Sequence, residues 1–205
     1  MPRFVPSTPA ALVRLIGDRA LALPGRVRIA VDGPVAADPL ALAQRTADWL
    51  RRAGRPAAVV DLEDYVLPAS ERLENGRDPQ SYHSRWFDYA ALGREVLDPL
   101  GPGTTSPCWL PRLRDAATDR SAREPRQEAP PGLVLLVAGP MLLGRWLDFD
   151  LTVHLLMDGP VLARRTEPEA QFTVPALTRY QDELEQQPDI LVRYNHPDRP
   201  AVMER

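Results

Sequence analysis

Residues 26–43, RVRIAVDGPVAADPLALA, constrain this chain most. Val27 to Val31 is a short, mainly apolar run that stops at Asp32-Gly33, a turn signal. A run of that kind fits a strand covered on both faces. Pro34 to Ala37 is a small-residue loop, and apolar residues recur at helical spacing from Leu40 to Ala53. Leu42, Trp49 and Leu50 would face the core, and Gly54 would close the helix. Strand, tight loop and helix in this order make the first unit of an α/β layered fold.

The same order of elements carries the phosphate-cradling loop G-x-x-x-x-G-K-[ST]. Read from Gly33, this chain has G-P-V-A-A-D-P-L. Asp38 stands at the second glycine, Pro39 at the lysine and Leu40 at the hydroxyl residue. That glycine lets the backbone approach the phosphates, the lysine neutralises them, and the hydroxyl holds Mg²⁺. Pro39 also lacks an N–H to donate. Two like charges about 4 Å apart, at an effective dielectric of ~20, repel by roughly 4 kcal/mol. Millimolar binding amounts to about −4 kcal/mol. Asp38 alone therefore offsets ordinary nucleotide affinity. An ordinary capped helix explains the same residues equally well, since Asp suits the N-cap and Pro the first helical position. In that case the Asp38 side chain accepts a hydrogen bond from the N–H of Leu40 or Ala41.

Composition narrows the function classes. The net charge of −3 gives no electrostatic case for nucleic acid. All 25 basic residues are arginine, so no lysine elsewhere replaces the missing one. Single Cys108 excludes an intrachain disulfide and has no evident activating base beside it. One Cys and three scattered His leave no structural zinc constellation, so no metal site is expected. No apolar run approaches the ~20 residues of a membrane span. The start, MPRFVPSTPAALV, lacks a signal-peptide shape. Cytoplasmic location, without membrane or nucleic-acid partners, is the expectation.

The rest of the chain alternates strands and helices. Ser7 or Thr8 can cap a helix running to about Leu23. Strands are expected at 57–61, 133–138 (LVLLVA), 151–156 and 190–194. Helices are expected at 87–97, at 158–165 and from Pro175. Residues 62–85 are polar and turn-rich, 108–118 can form a hairpin, and 119–132 reads as a flexible loop. His154 sits in an apolar strand, as a satisfied core histidine would. The pattern predicts one domain, 1–205, with a mainly parallel five-stranded sheet in three α/β/α layers.

These pieces together resemble the uridine kinase family of P-loop kinases, over roughly residues 27–202. VRIAVDGP is similar to the family's VxIAIDG, and VDLEDYVLP resembles its DDF-type segment. RLENGRDPQSYHSRWFDYAALGREVLDPL resembles RxxRGxDSPEGYYxDSFDYxALxxxLLxPL. DLTVHLLMDGPVLARR resembles WDxxVFLDVPxxVxLAR, and the segment from Val174 to Pro200 resembles the family's LPxQRxYxxE…ADVVVDNxDPxxP.

The resemblance implies a P-loop kinase fold, with Glu63, followed by Asp64, at the position of the catalytic base. It implies an acceptor pocket near Arg77, Tyr82, His83 and Arg85, and lid cations reduced to Arg164 and Arg165. The departures fall on the nucleotide half. The loop Gly33, Asp38, Pro39, Leu40 lacks the family's phosphate and Mg²⁺ groups, Ala138 replaces an acid after the 133–137 strand, and the lid is about ten residues short by comparison with the family pattern. Glu63 and Asp64 alternatively read as two solvated acids, the pocket residues as a polar loop, and Arg164 as a surface arginine. The implied function is a non-catalytic pseudokinase with a binding or partner role, for an acceptor-like small molecule or a protein. The alternatives are an active ATP-dependent phosphotransferase on a nucleoside or other hydroxyl acceptor, and an enzyme of another class reusing the acceptor pocket. No cofactor is expected, and Mg-ATP only under the phosphotransferase reading; an oligomer is compatible with the sequence.

Overall fold

The apolar run after Gly25 becomes the strand around which the sheet is arranged. The computed structural model describes residues 3–204. Its main sheet comprises β1 (Arg3–Pro6), β2 (Val27–Asp32), β3 (Ala57–Asp61), β4 (Val134–Gly139), β5 (Leu151–Leu156), β6 (Ile190–Arg193) and β7 (Ala201–Glu204). The spatial order is β1-β7-β6-β5-β2-β4-β3. From β6 to β3 every pairing is parallel, whereas β7 pairs antiparallel with both β6 and β1. All six residues of β2 and of β4 are buried, so the centre of the sheet is covered on both faces. The result is a mixed α/β fold in three layers, with β2 in the middle of the parallel strands.

The sheet has seven strands rather than five. The two extra strands are the short terminal segments RFVP and AVME. Each is four residues long, too short for an alternation to register, and each exists by pairing with the other. Arg28, a charged residue inside the most buried strand, is also explained. Its guanidinium donates to Asp150 from Nε at 3.0 Å and Nη2 at 2.8 Å, and its backbone N–H donates to the same carboxylate at 2.7 Å.

The α-helices of six residues or more are α1 (Pro9–Leu21), α2 (Pro39–Arg52), α3 (Pro79–Ser84), α4 (Gly159–Arg165) and α5 (Val174–Glu183), with single turns at Ala69–Arg72 and Tyr89–Leu92. Thr8 caps α1, its hydroxyl accepting from the Ala11 N–H at 3.1 Å. α1 packs on α2, and α2 lies against β2, β3 and β4. Gly17 makes the first of these contacts close: a Cβ there would stand 2.3 Å from the Trp49 ring. The helix expected over 87–97 is one α-turn, Tyr89–Leu92, continuing as a wider π-type turn, Gly93–Leu97, before Pro99. The hairpin expected within 108–118 is replaced by one long-range pair and a hairpin shifted towards the C-terminus. Cys108–Trp109 pairs with Gln127–Glu128, and Arg114–Asp115 with Arg120–Ser121, so 119–132 carries two of these short strands. Among the described residues no helix is long and apolar enough to cross a membrane.

Candidate functional site

The order of the parallel strands reverses at β2, which lies between β4 and β5. In open α/β sheets the crevice beyond the carboxyl ends of the strands at such a reversal is where ligands bind. Residues 33–38 leave β2 at this crevice. The loop closes on itself. The Gly33 N–H donates to Gly139 O at 3.1 Å, Ala37 N–H to Pro34 O at 2.8 Å and Asp38 N–H to Val35 O at 2.9 Å. Gly33 is needed for packing: a Cβ there would stand 2.8 Å from Leu155 Cβ. Asp38 Oδ1 accepts from the Ala41 N–H at 3.1 Å, and Pro39 is the first residue of α2, as the residue types predict. One detail differs from an ordinary cap, which is extended. Asp38 is left-handed, with φ 51° and ψ 58°, a region that Asp tolerates better than most residues. Asp38→Ala therefore loses the cap and worsens the backbone conformation. It should cost about 1–3 kcal/mol in urea unfolding. Asp38→Gly, at ease with positive φ, should stay within about 0.5 kcal/mol of the parent.

Beside this loop is a cleft of about 440 Å³, bordered by Val35 and Ala36 on the loop side. Its far walls come from the 62–86 region and from the residues between α4 and α5. Asp78 starts α3, its Oδ1 accepting from the Gln80 and Ser81 N–H groups at 2.9 and 3.1 Å. This presents Tyr82 to an aromatic cluster. Tyr82 and Trp86 have ring centroids 5.3 Å apart, and Phe172 lies 5.3 Å from Trp86 and 5.9 Å from Tyr82. The Arg72 guanidinium sits 5.3 Å over the Trp86 ring and donates from Nε to Leu67 O at 2.7 Å. The wall between α4 and α5 is compact: Gln171 Nε2 donates to Ala163 O at 2.8 Å and to Thr166 O at 2.6 Å. Arg77 crosses to it, donating to Glu169 O at 3.4 Å.

Glu63 lines this cleft. Burial, with Asp61 nearby, pushes its carboxyl up to about 7, against the pull of Arg72. A carboxyl that exchanges its proton near neutrality is a competent general base or a hydrogen-bond donor.

The structure separates the expected site residues. Glu63, Arg77, Tyr82 and Arg165 line the cleft, whereas Gly33, Asp38, Pro39 and Leu40 belong to the neighbouring loop and helix start. Asp64 lies outside, held by Arg112, whose Nε donates to Oδ1 at 2.5 Å. His83 lines a different, smaller cleft of about 250 Å³ with Arg145, and its pKa is lowered by burial and by that arginine. Arg85 pairs with Glu74 at 2.6 Å, and Arg164 is exposed on α4. His83 is turned away from Tyr82 by its helical phase, and Arg85, at φ −137°, lies just past the end of α3. Trp86, Phe172 and Arg72 were not anticipated as lining residues. The aromatic run RWFDY was the available signal for Trp86.

Beneath the loop is a buried network. Asp32, fully buried at the end of β2, accepts from the Leu142 N–H at 2.9 Å and from the Tyr180 hydroxyl at 2.9 Å. His154, its neighbour in register on β5, lies with Nδ1 2.5 Å from Asp32 Oδ2. The histidine is thus a core residue whose Nδ1 is satisfied by Asp32. Tyr180 holds its proton far above the ordinary tyrosine range, because of burial and the adjacent Asp32 carboxylate. Among the described residues no group of three or more His, Cys, Asp or Glu side chains is placed to hold a metal ion.

No family model matches the sequence, and no curated protein matches it. Solved structures do. One, described as a possible uridine kinase from Bacillus stearothermophilus, superposes with a TM-score of 0.66 at 16% identity, over 89% of this chain and 97% of that one. Another, described as a fructose transport system kinase from Silicibacter sp. TM1040, gives 0.65 at 20% identity, over 90% of this chain and 98% of the other. At these identities the likeness is one of architecture: the chain shares the fold of these two structures across nearly its whole length.

Proposed function

We propose that this protein is a non-catalytic relative of the uridine kinase-like P-loop kinases, which binds a small acceptor-like molecule and transfers no phosphate. One observation carries the reading: the Asp38 carboxylate bonds the Ala41 N–H, at the helix start where a nucleotide phosphate would sit. An internal anion there competes with a phosphate for the positive end of α2. The chain has no lysine to reverse this. The aromatic cleft beside Glu63 is meanwhile formed, and 440 Å³ is enough for a small ligand. A protein partner could read the occupied cleft. Mg-ATP is not a cofactor in this reading.

The phosphotransferase alternative has one observation in its favour, the carboxyl of Glu63 poised near 7 in the cleft. A thermal-shift screen of nucleosides, phosphosugars and nucleotides, with and without Mg²⁺, separates the two. A ligand at about 100 times its dissociation constant adds about 2.7 kcal/mol of stability. The expected result is stabilisation by a nucleoside or phosphosugar, independent of Mg²⁺ and lost in Trp86→Ala. Stabilisation only by Mg-nucleotides, with phosphate transfer to any acceptor, would establish the alternative.

A further inference from the structure

A second cleft, of about 450 Å³, shares no lining residue with the first. Leu156 of β5, Leu191 of β6 and Met203 of β7 line it from the sheet, facing Gln181 of α5 and Leu184 just beyond that helix. Four polar residues line it, Gln186 and Gln187 at the exposed rim and two groups set deeper in the apolar wall. One is His154, whose residue is only 3% exposed. Its Nδ1 is taken by Asp32. That carboxylate also accepts from Tyr180 and Leu142, so it acts as an acceptor towards all three and Nδ1 carries the proton. In the Nδ1–H tautomer of the neutral ring, the form this proposal takes, Nε2 is an acceptor. The other group is the Gln181 amide, whose Nε2 is buried with no hydrogen-bond partner among the described residues. A buried donor left unpaired is costly, which is an argument for a missing ligand.

We propose that this cleft binds a small, uncharged, largely apolar molecule through a hydroxyl group. The hydroxyl donates to His154 Nε2, and its oxygen accepts from Gln181 Nε2. A hydroxyl is the simplest group that both donates and accepts at one atom. A carboxylate or phosphate fits poorly, because no arginine lines the cleft and the buried Asp32 charge stands just behind His154. Leu156, Leu184, Leu191 and Met203 cover the apolar body.

The test uses phenol and cyclohexanol against benzene, cyclohexane and benzoate, titrated into the full chain and followed by amide NMR. Each hydroxyl probe should bind at least 5-fold more tightly than its hydrocarbon and shift the Gln181 side-chain amide. Gln181→Leu should abolish that advantage while hydrocarbon binding persists, which also shows that the variant is folded. Met203→Trp, which fills the cleft from the edge of the sheet, should abolish binding of all probes. Equal binding of phenol and benzene, tighter binding of benzoate, shifts confined to the Glu63–Trp86 cleft, or no binding at millimolar probe would each overturn the proposal.

Discussion

Replacing Asp32 with alanine should cost about 3–5 kcal/mol of folding stability, because it removes a fully buried acceptor that serves three donors. The carboxylate is fully buried and accepts from three groups on three other parts of the chain: Leu142 N–H, the Tyr180 hydroxyl and the His154 ring. Alanine leaves the Leu142 N–H and the His154 Nδ1 without this acceptor, and the Tyr180 hydroxyl with only a long bond to Leu143 O at 3.4 Å. Each such group alone costs about 1–3 kcal/mol, less than additively when they share a site. Tyr180→Phe removes one donor to Asp32 and leaves the Leu143 N–H, which donates to the Tyr180 oxygen at 3.1 Å, without its acceptor. It should cost about 1–2 kcal/mol. Urea unfolding of both variants checks the order. An alanine variant within 1 kcal/mol of the parent would mean that the network does not brace the loop.

The second large effect is on pH dependence. Glu63 has its carboxyl raised to about 7, above the usual 4.5, because burial disfavours the charge. Between those values the folded state binds more protons than the unfolded one, so the contribution to stability falls as pH rises through that window. Below about 4.5 both states hold the proton and the penalty vanishes. Glu63→Gln removes the charge while keeping the shape. The variant should match the parent at pH 4 and exceed it at pH 8 by roughly 2–3 kcal/mol. The difference between the two proteins is the proper readout, because burial also raises Asp61 and Asp64. A gap that does not change between pH 4 and 8 would show that Glu63 is ordinarily ionised and no base candidate.

Much of the architecture is legible in the residues, for physical reasons that also mark the limit. The run Val27 to Val31 and the segment LVLLVA are continuously apolar because they are covered on both faces, and they form adjacent central strands. Asp38-Pro39 is legible as a helix start because capping is local chemistry. The terminal strands are not legible, since each owes its existence to the distant partner it pairs with. The site divides along the same line. Glu63, Arg77 and Tyr82 are placed by a short segment, and that segment carries them to the cleft. His83 and Arg85 lie in the same stretch and point elsewhere, His83 by helical phase in a turn too short to show a period and Arg85 because the chain has left the helix there. Phe172 and Arg165 reach the cleft from the other end of the chain. The left-handed conformation of Asp38 and the Asp32–His154 pair likewise arise from tertiary packing, the second from strand register alone.

The loop between β2 and α2 is the centre of the functional reading, and titration calorimetry of Mg-ATP into the purified chain tests it most directly. With Asp38 closing the helix start and no lysine in the chain, no heat of binding is expected at millimolar nucleotide. A micromolar dissociation constant, about −8 kcal/mol of binding energy, would contradict it.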